Sequence, residues 1–346
     1  VIELEPAETL PAEILSAAPY SCSPEWLRLC AEVYGQDLRL FLVKRNGEPA
    51  GGFACAALRS VFFGRRIVSM PFSDESGLWA GPGVEFSAAE RAELAAALAA
   101  ALDSLAAETG AGAAELHGAG LLAGDAHFRE TSPYLRFVLD TTRPYPELRG
   151  RFDTNLIKNL RKADKTVAVR EETSPEAFGG VYGIYLRQMR RFGSPPLPAG
   201  HFNRLMAAGM GRLFVASVGG RDAALLFALA GGGVFRADVN AGLPEFETFF
   251  PKVKLFDETI RLACAEGFRA YDFMRTRAGS GVCAHKAKWG GREEKINYFY
   301  RDRLNLAHDG PDPEQARYAL PRLLLRLAPL RLLAAFGPAI RAQAGK

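Results

Sequence analysis

Residues 271–290 read Tyr271-Asp272-Phe273-Met274-Arg275-Thr276-Arg277-Ala278-Gly279-Ser280-Gly281-Val282-Cys283-Ala284-His285-Lys286-Ala287-Lys288-Trp289-Gly290. They gather the residue types that could stabilise a developing oxyanion. An apolar strand ends in Asp272 and Arg275, and a polar, glycine-rich loop follows. Gly279 and Gly281 let backbone amides approach a ligand, with Arg275, Arg277 and Ser280 beside them. Lys286, just before Trp289, puts a fixed positive charge where an oxyanion could form. The competing reading is a strand, a turn and a surface lysine packed beside Trp289. Asp272 could serve as general base toward an amine or pair with Arg275, and the structural pair is favoured. Asp238 and Asn240, at the end of another strand, are comparable candidates.

A second constellation is basic. Between Arg143 and Arg170 lie Arg149, Arg151, Lys158, Arg161, Lys162 and Lys165, against only Glu147, Asp153 and Asp164. On a helix, Lys158, Arg161, Lys162 and Lys165 share one face, while Leu156, Leu160 and Ala163 share the other. That face suits phosphate, either of a tRNA acceptor arm or of an undecaprenyl-type or nucleotide-sugar pyrophosphate, and a merely solvated face is the alternative. Arg187, Arg190 and Arg191 could extend it. The tail from Arg317 to Arg341 carries Arg322, Arg326 and Arg331 on a leucine-rich helix. It could lie on an anionic membrane surface, although packing on the catalytic domain is the favoured reading because Pro329 and Pro338 interrupt it.

The elements that must position these residues form two series. The chain has 346 residues, 48% of them hydrophobic and 24% charged, which predicts two globular domains and excludes a disulfide miniprotein or a disordered chain. Its formal charge of +4 names no partner unless the charges cluster. The first series has a helix over Pro24–Tyr34, strands over Leu38–Val43 and Ala50–Leu58 joined by Asn46-Gly47, and a strand over Arg65–Met70. An alanine-rich helix over Ala88–Thr109 and strands over Ala113–His117 and Leu135–Leu139 complete it. Pro144, Pro146 and Gly150 mark a boundary within Thr141–Arg151. Helices then fall over Leu156–Lys165, Pro175–Phe192, His201–Met210 and Pro251–Glu266, with strands over Thr166–Glu171, Leu213–Val218, Ala223–Ala230, Gly233–Ala237, Phe268–Phe273 and Lys295–Arg301. The shared order of helix, antiparallel strands, helix and strand suggests two copies of one mixed module, 1–145 and 146–310, followed by a helical tail, 311–346. The five cysteines form no Cys-x-x-Cys pair and the five histidines are scattered, so a reduced cytoplasm and no metal site are expected. Glu3, Glu5 and Glu8 stand where a secretory signal needs positive charge, and the apolar run Leu320–Phe336 is too interrupted to span a bilayer.

Residues 271–290 resemble the C-terminal motif of the FemAB family of acyl and aminoacyl transferases: an Asp-Phe-Gly-Arg-like strand end, a glycine loop, then Phe-Lys-x-x-Trp/Phe-Gly. Three further segments resemble it in order. Ser69-Met70-Pro71-Phe72-Ser73-Asp74 with Gly77 is similar to a first-module loop. Lys158-Asn159-Leu160-Arg161-Lys162-Ala163-Asp164-Lys165 is similar to the helix opening the second module, and residues 185–196, with Tyr185 and Arg190, to the element after it. The 185–196 element and the 69–77 loop resemble particularly the branch associated with exopolysaccharide and protein-sorting loci. The resemblance implies an α/β fold of two tandem GNAT-like modules, mixed sheets flanked by helices. It implies transfer of an acyl or aminoacyl group to an amine or similar nucleophile of a cell-envelope or exopolysaccharide precursor, with Lys286 handling charge at the carbonyl. Trp289, Tyr185, Arg190, Lys158, Arg161 and Lys162 are then substrate contacts. The sequence departs from the pattern at Met274, where glycine is usual, at His285, where phenylalanine is usual, and at Glu75-Ser76-Gly77. The acyl donor is either aminoacyl-tRNA or an acyl-CoA or acyl carrier protein. No Arg/Gln-x-x-Gly-x-Gly/Ala run precedes the Pro251 helix, which argues against standard CoA binding. A non-catalytic scaffold in polysaccharide assembly is the alternative from another class.

Overall fold

The computed structural model describes residues 1–61, 64–302 and 318–345. In chain order the elements are β1 (Ile2–Ala7), α1 (Ala12–Ser16), α2 (Pro24–Tyr34), β2 (Asp37–Arg45), β3 (Glu48–Ser60), β4 (Gly64–Val68), β5 (Leu78–Ala80), α3 (Ala88–Thr109), β6 (Ala113–His117) and β7 (Arg129–Asp140). Then follow α4 (Tyr145–Arg149), α5 (Thr154–Ala163), β8 (Val167–Glu172), α6 (Ala177–Phe192), α7 (Ala199–Ala207), β9 (Gly211–Val218), β10 (Arg221–Gly231) and β11 (Val234–Gly242). The last are α8 (Pro251–Ala265), β12 (Ala270–Asp272), β13 (Thr276–Arg277), α9 (Gly281–Ala287), β14 (Arg292–Asp302), α10 (Ala319–Leu327) and α11 (Leu330–Ala344).

Two compact units result. The first is Val1–Pro133 with the described residues of Ile296–Pro313 and Ala339–Lys346; the second is Tyr134–Lys295 with those of Glu314–Pro338. The hydrogen-bonded strand order has one run, β1-β2-β3-β4-β6-β14, chiefly of the first unit, and one, β7-β12-β11-β10-β9-β8, chiefly of the second. Each has a single parallel pair, β4 with β6 and β11 with β12, and every other neighbour on these paths is antiparallel. A parallel pair needs a long crossover, which α3 supplies in one unit and α8 in the other. The chain therefore folds as two tandem mixed α/β modules.

Local chemistry explains the elements. Asn46 and Gly47 both have positive φ, 53° and 86°, the geometry that matches hairpin twist between β2 and β3. Helix α3 opens with a Ser87/Glu90 capping box and buries Leu94, Leu98, Leu102 and Leu105 beside Phe53, Ile67 and Phe299. Each such leucine contributes about 1.5–3 kcal/mol by leaving water. The second core is aromatic: Phe178 stacks on Phe202, Phe235 on Tyr271, and Phe256 and Phe273 meet Trp289.

The structure differs from the sequence expectations in four places. The acidic start, to which the sequence pattern assigns no element, forms β1, with Ile2 buried against the core while Glu3 and Glu5 face outward. The proline-rich stretch 141–151 is no linker, because Thr141 is buried and donates to Phe268 O at 2.6 Å, and α4 sits on α8 through Tyr145 and Asp257. The division of the units falls earlier, within β7, and β14 pairs with β6 in the first unit. The glycine loop contains helix α9, and the tail holds two helices parted at Pro329; its expected start at residue 311 lies outside the described residues.

Candidate functional site

The expected site lies at the end of β12. Asp272 is buried; its Oδ1 accepts from Met274 N at 2.7 Å, and its Oδ2 lies 3.6 Å from Arg136 Nη1. Both oxygens are engaged, and these contacts brace the strand end. Arg136 on β7 is thus one of the ionic neighbours of Asp272, and also binds Glu294 at 2.8 Å. The guanidinium of Arg275 stands over the Tyr134 ring, 5.3 Å from its centroid.

Lys286 is the centre of this arrangement. It is buried, and its Nζ donates to Met274 O and Arg275 O, each at 3.0 Å. The lysine therefore clamps the turn after β12 from the facing helix α9. That helix exists because Ser280 caps it: Ser280 Oγ accepts from Cys283 N at 3.1 Å and donates to Arg277 O at 2.8 Å. Gly279 supplies the left-handed turn before the cap, at φ 73°. Arg277 and Gly279 are exposed. Trp289 is closed to solvent, with Phe152 edge-on at 5.0 Å, and Tyr185 is likewise buried, its hydroxyl accepting from Leu197 N at 3.0 Å. Both were expected as substrate contacts; the structure places their rings in the core, among aromatic neighbours.

A second group converges from β11 and the start of α8. The β10–β11 register shifts at Asp238, which stands as an extra residue between Ala237 and Val239, and the alternation of burial is lost from Asp238 to Asn240. Gln188 of α6 braces this edge, donating to Asn240 O at 3.3 Å and accepting from Gly242 N at 3.2 Å. Asn240 Nδ2 donates to Lys252 O at 3.2 Å. Lys252 was not singled out from the sequence. It is half-buried; burial pushes its ammonium below the ordinary range, Arg191 adds to the effect, and Glu247 opposes it. His285 is also pushed below its usual value, first by burial and then by Lys252, Lys288 and Lys286. The sequence signal for Lys252 was its place in the first turn of a helix, where a cation meets the positive end of the dipole.

The basic stretch divides. Arg143, Arg149, Arg151 and Arg170 are ion-paired within the fold, to Glu147, Asp257, Glu147 and Asp222 among others. On α5 and just past it, Lys158, Arg161, Lys162 and Lys165 are exposed, opposite buried Leu156, Leu160 and Ala163. Lys162 reaches the Phe250 ring, 5.7 Å from its centroid, at the start of α8. Arg190 on α6 is half-buried, between Arg187 and Arg191, which pair with Glu245 and Glu247. Among the described residues no cluster of three or more His, Cys, Asp or Glu could hold a metal. No described helix is long and apolar enough to cross a membrane.

Residues 150–287, inside the second unit, match the family model described as an acetyltransferase (GNAT) domain. Similar solved structures include FemX, with a TM-score of 0.64 and 15% identity over 86% of this chain and 97% of that one. The fold is a FemAB-like tandem GNAT fold. A DUF2156 C-terminal domain from Agrobacterium fabrum (TM-score 0.52, 13% identity, 80% of this chain and 88% of that one) shares it. So does L-PGS from Bacillus licheniformis (TM-score 0.51, 13% identity, 88% and 96%). No curated protein matches the chain. Against the FemAB-like pattern the departures now have locations. Met274 takes the position of the motif glycine and is left-handed, φ 58°, a conformation that costs a side-chain-bearing residue about 1–2 kcal/mol. Its amide bond to Asp272 and its carbonyl bond to Lys286 hold it there. His285, in place of phenylalanine, keeps an aromatic ring 6.3 Å from Phe256.

Proposed function

We propose that the protein transfers an acyl or aminoacyl group to an amine or similar nucleophile of a cell-envelope or exopolysaccharide precursor. The observation that carries this reading is Lys286: a buried ammonium anchored at a strand end, within the stretch that matches a GNAT domain. In the reaction the acceptor amine attacks the donor carbonyl and a tetrahedral oxyanion forms. The bond to the leaving group then breaks as the amine proton passes to it. A cation fixed before the charge appears stabilises that oxyanion without reorganising. Bound substrate would share the Lys286 ammonium with the carbonyls of Met274 and Arg275, and Arg275, Arg277, Gly279 and Ser280 would frame it.

The start of α8 favours an aminoacyl-tRNA donor. Pro251 has no N–H, and the amides of Val253 and Lys254 both go to Phe250 O at 3.1 Å, so this helix end is poorly furnished to cradle a pyrophosphate with its backbone. Side-chain charge is plentiful instead, in Lys158, Arg161, Lys162 and Lys252, and suits the phosphates of a tRNA acceptor arm. FemX and the Agrobacterium domain, the latter provisionally assigned to a lysylphosphatidylglycerol synthetase, support an envelope-directed acceptor.

The test supplies labelled aminoacyl-tRNA, acetyl-CoA and acyl-carrier thioester separately, each with an amine acceptor. Transfer is expected from the tRNA ester, and Lys286→Met is expected to lower it about 100-fold or more while the far-UV spectrum is kept. Transfer from acetyl-CoA alone would overturn the donor, and full activity in Lys286→Met would remove that lysine from the reaction.

A further inference from the structure

Helix α10 has its apolar side turned to solvent. Leu320, Leu323, Leu324 and Leu327 recur at three- and four-residue spacing, which makes one stripe. Their exposures are 64%, 50%, 60% and 72%. The opposite side is the docked one: the backbone at Arg322 lies so close to Gly193, after α6, that a Cβ there would stand 2.6 Å from the Arg322 carbonyl oxygen. Helix α11 continues the pattern with Leu332 and Phe336, 52% and 65% exposed and one turn apart. A soluble surface rarely leaves so much contiguous apolar area uncovered.

The charges say what covers it. Residues 319–345 contain Arg322, Arg326, Arg331 and Arg341 and no Asp or Glu. Arg322 and Arg326 flank the leucine stripe on the side toward the protein, where long side chains can lay their stems along apolar atoms and hold their heads at a headgroup layer. A leucine stripe whose own helices, among the described residues, carry cations and no acid is complementary to an apolar interior under an anionic surface. Pro329 parts the helices, so the pair is built to lie along such a surface.

We propose that the outward faces of α10 and the first part of α11 dock on an anionic phospholipid bilayer, seating Leu320, Leu323, Leu324, Leu327, Leu332 and Phe336 at the acyl boundary. The inference is independent of the transfer chemistry, and its readout involves no activity. The full chain is sedimented with vesicles of phosphatidylcholine alone and of phosphatidylcholine with one-quarter phosphatidylglycerol. Binding to the anionic vesicles, weakened by salt, is expected; Leu324→Glu/Leu327→Glu should lower the bound-to-free ratio about tenfold or more, and Arg326→Glu about fivefold. All three substituted positions are exposed, so an unchanged melting temperature is expected and separates docking from folding. Equal sedimentation with neutral and anionic vesicles, or equal binding by the leucine variant, overturns the proposal. So does light scattering showing that the leucine stripe pairs two copies of the chain and is not available to vesicles.

Discussion

Helices α3 and α8 occupy the same place in their two units, each crossing over between a pair of parallel strands, and they begin in opposite ways. Helix α3 is sealed: Ser87 and Glu90 close a capping box, and the glutamate places a negative charge on the dipole's positive end. Helix α8 has no side-chain cap and no acid in its first turn; it starts from Phe250 in a left-handed conformation and carries Lys252 and Lys254 instead. The strands that follow differ likewise. Glu115 of β6 stands opposite Val68, as Asp272 of β12 stands opposite Arg236, in matching registers. In the first unit this carboxylate is locked into a closed buried network. Glu115 binds His117 Nε2 at 2.9 Å and lies 3.7 Å from Arg66 Nη1, His117 Nδ1 faces Ser73 O at 2.9 Å, and Tyr298 stacks on the imidazole. In the second it braces a turn from which an exposed polar loop departs. One module has closed its strand end around a buried carboxylate network, and the other sets an exposed polar loop and a lysine-bearing helix start beside its own.

The largest effect should come from breaking the closed network. Glu115→Leu strips Arg66 and His117 of a buried carboxylate and should cost about 3–5 kcal/mol in urea unfolding, with transfer per folded molecule unchanged. A loss below about 1 kcal/mol would mean that the first strand end is no more sealed than the second. Next, Lys252→Glu should weaken binding of a fluorescent RNA acceptor-stem hairpin about tenfold and flatten its salt dependence, as anisotropy at two salt concentrations would show. A lysine placed in the first turn of α3, Ala89→Lys, should confer no such binding. The helix starts themselves should respond oppositely. Ser87→Ala removes a cap worth about 1 kcal/mol. Phe250→Gly relieves a left-handed side chain, an effect of similar size that offsets its lost ring contact, so thermal melts should fall in the first variant and hold in the second.

What the sequence made legible follows the range of the forces involved. Helices α2 and α3 and strand β6 fall on the residues expected, because their caps, turn residues and apolar spacing are written within a few positions. The mixed-sheet modules were legible from element order for the same reason. The boundary misled because proline and glycine look alike in a linker and in a short helix held by a distant buried Asp257. At the site, the strand end, the glycine loop and Lys286 were visible as residue types. Their connections were not. The carbonyls that bind Lys286 belong to a turn that the α9 fold brings back upon it, and Arg136 reaches Asp272 from a strand read as part of the other module. Trp289 and Tyr185 were read as contacts because a motif gives position along the chain and says nothing of depth.

The smallest effect tests the electrostatics of the second unit through His285. Burial, Lys252, Lys288 and Lys286 all hold its imidazole below the ordinary histidine value, so the folded chain binds this proton less readily than the unfolded one. The sign follows from linkage: where the unfolded state holds more protons, stability rises with pH. His285 therefore contributes fully above the unfolded value near 6.5, and its contribution is lost as pH falls from there through the depressed folded value. His285→Phe keeps a ring against Phe256 and removes the titration. Urea midpoints of the two proteins should converge at pH 7.5 and separate progressively toward pH 5, with the variant the more stable in acid. Parallel midpoints across that range would show that neither burial nor the nearby lysines hold the imidazole below its ordinary value, and that the start of α8 is electrostatically no different from that of α3.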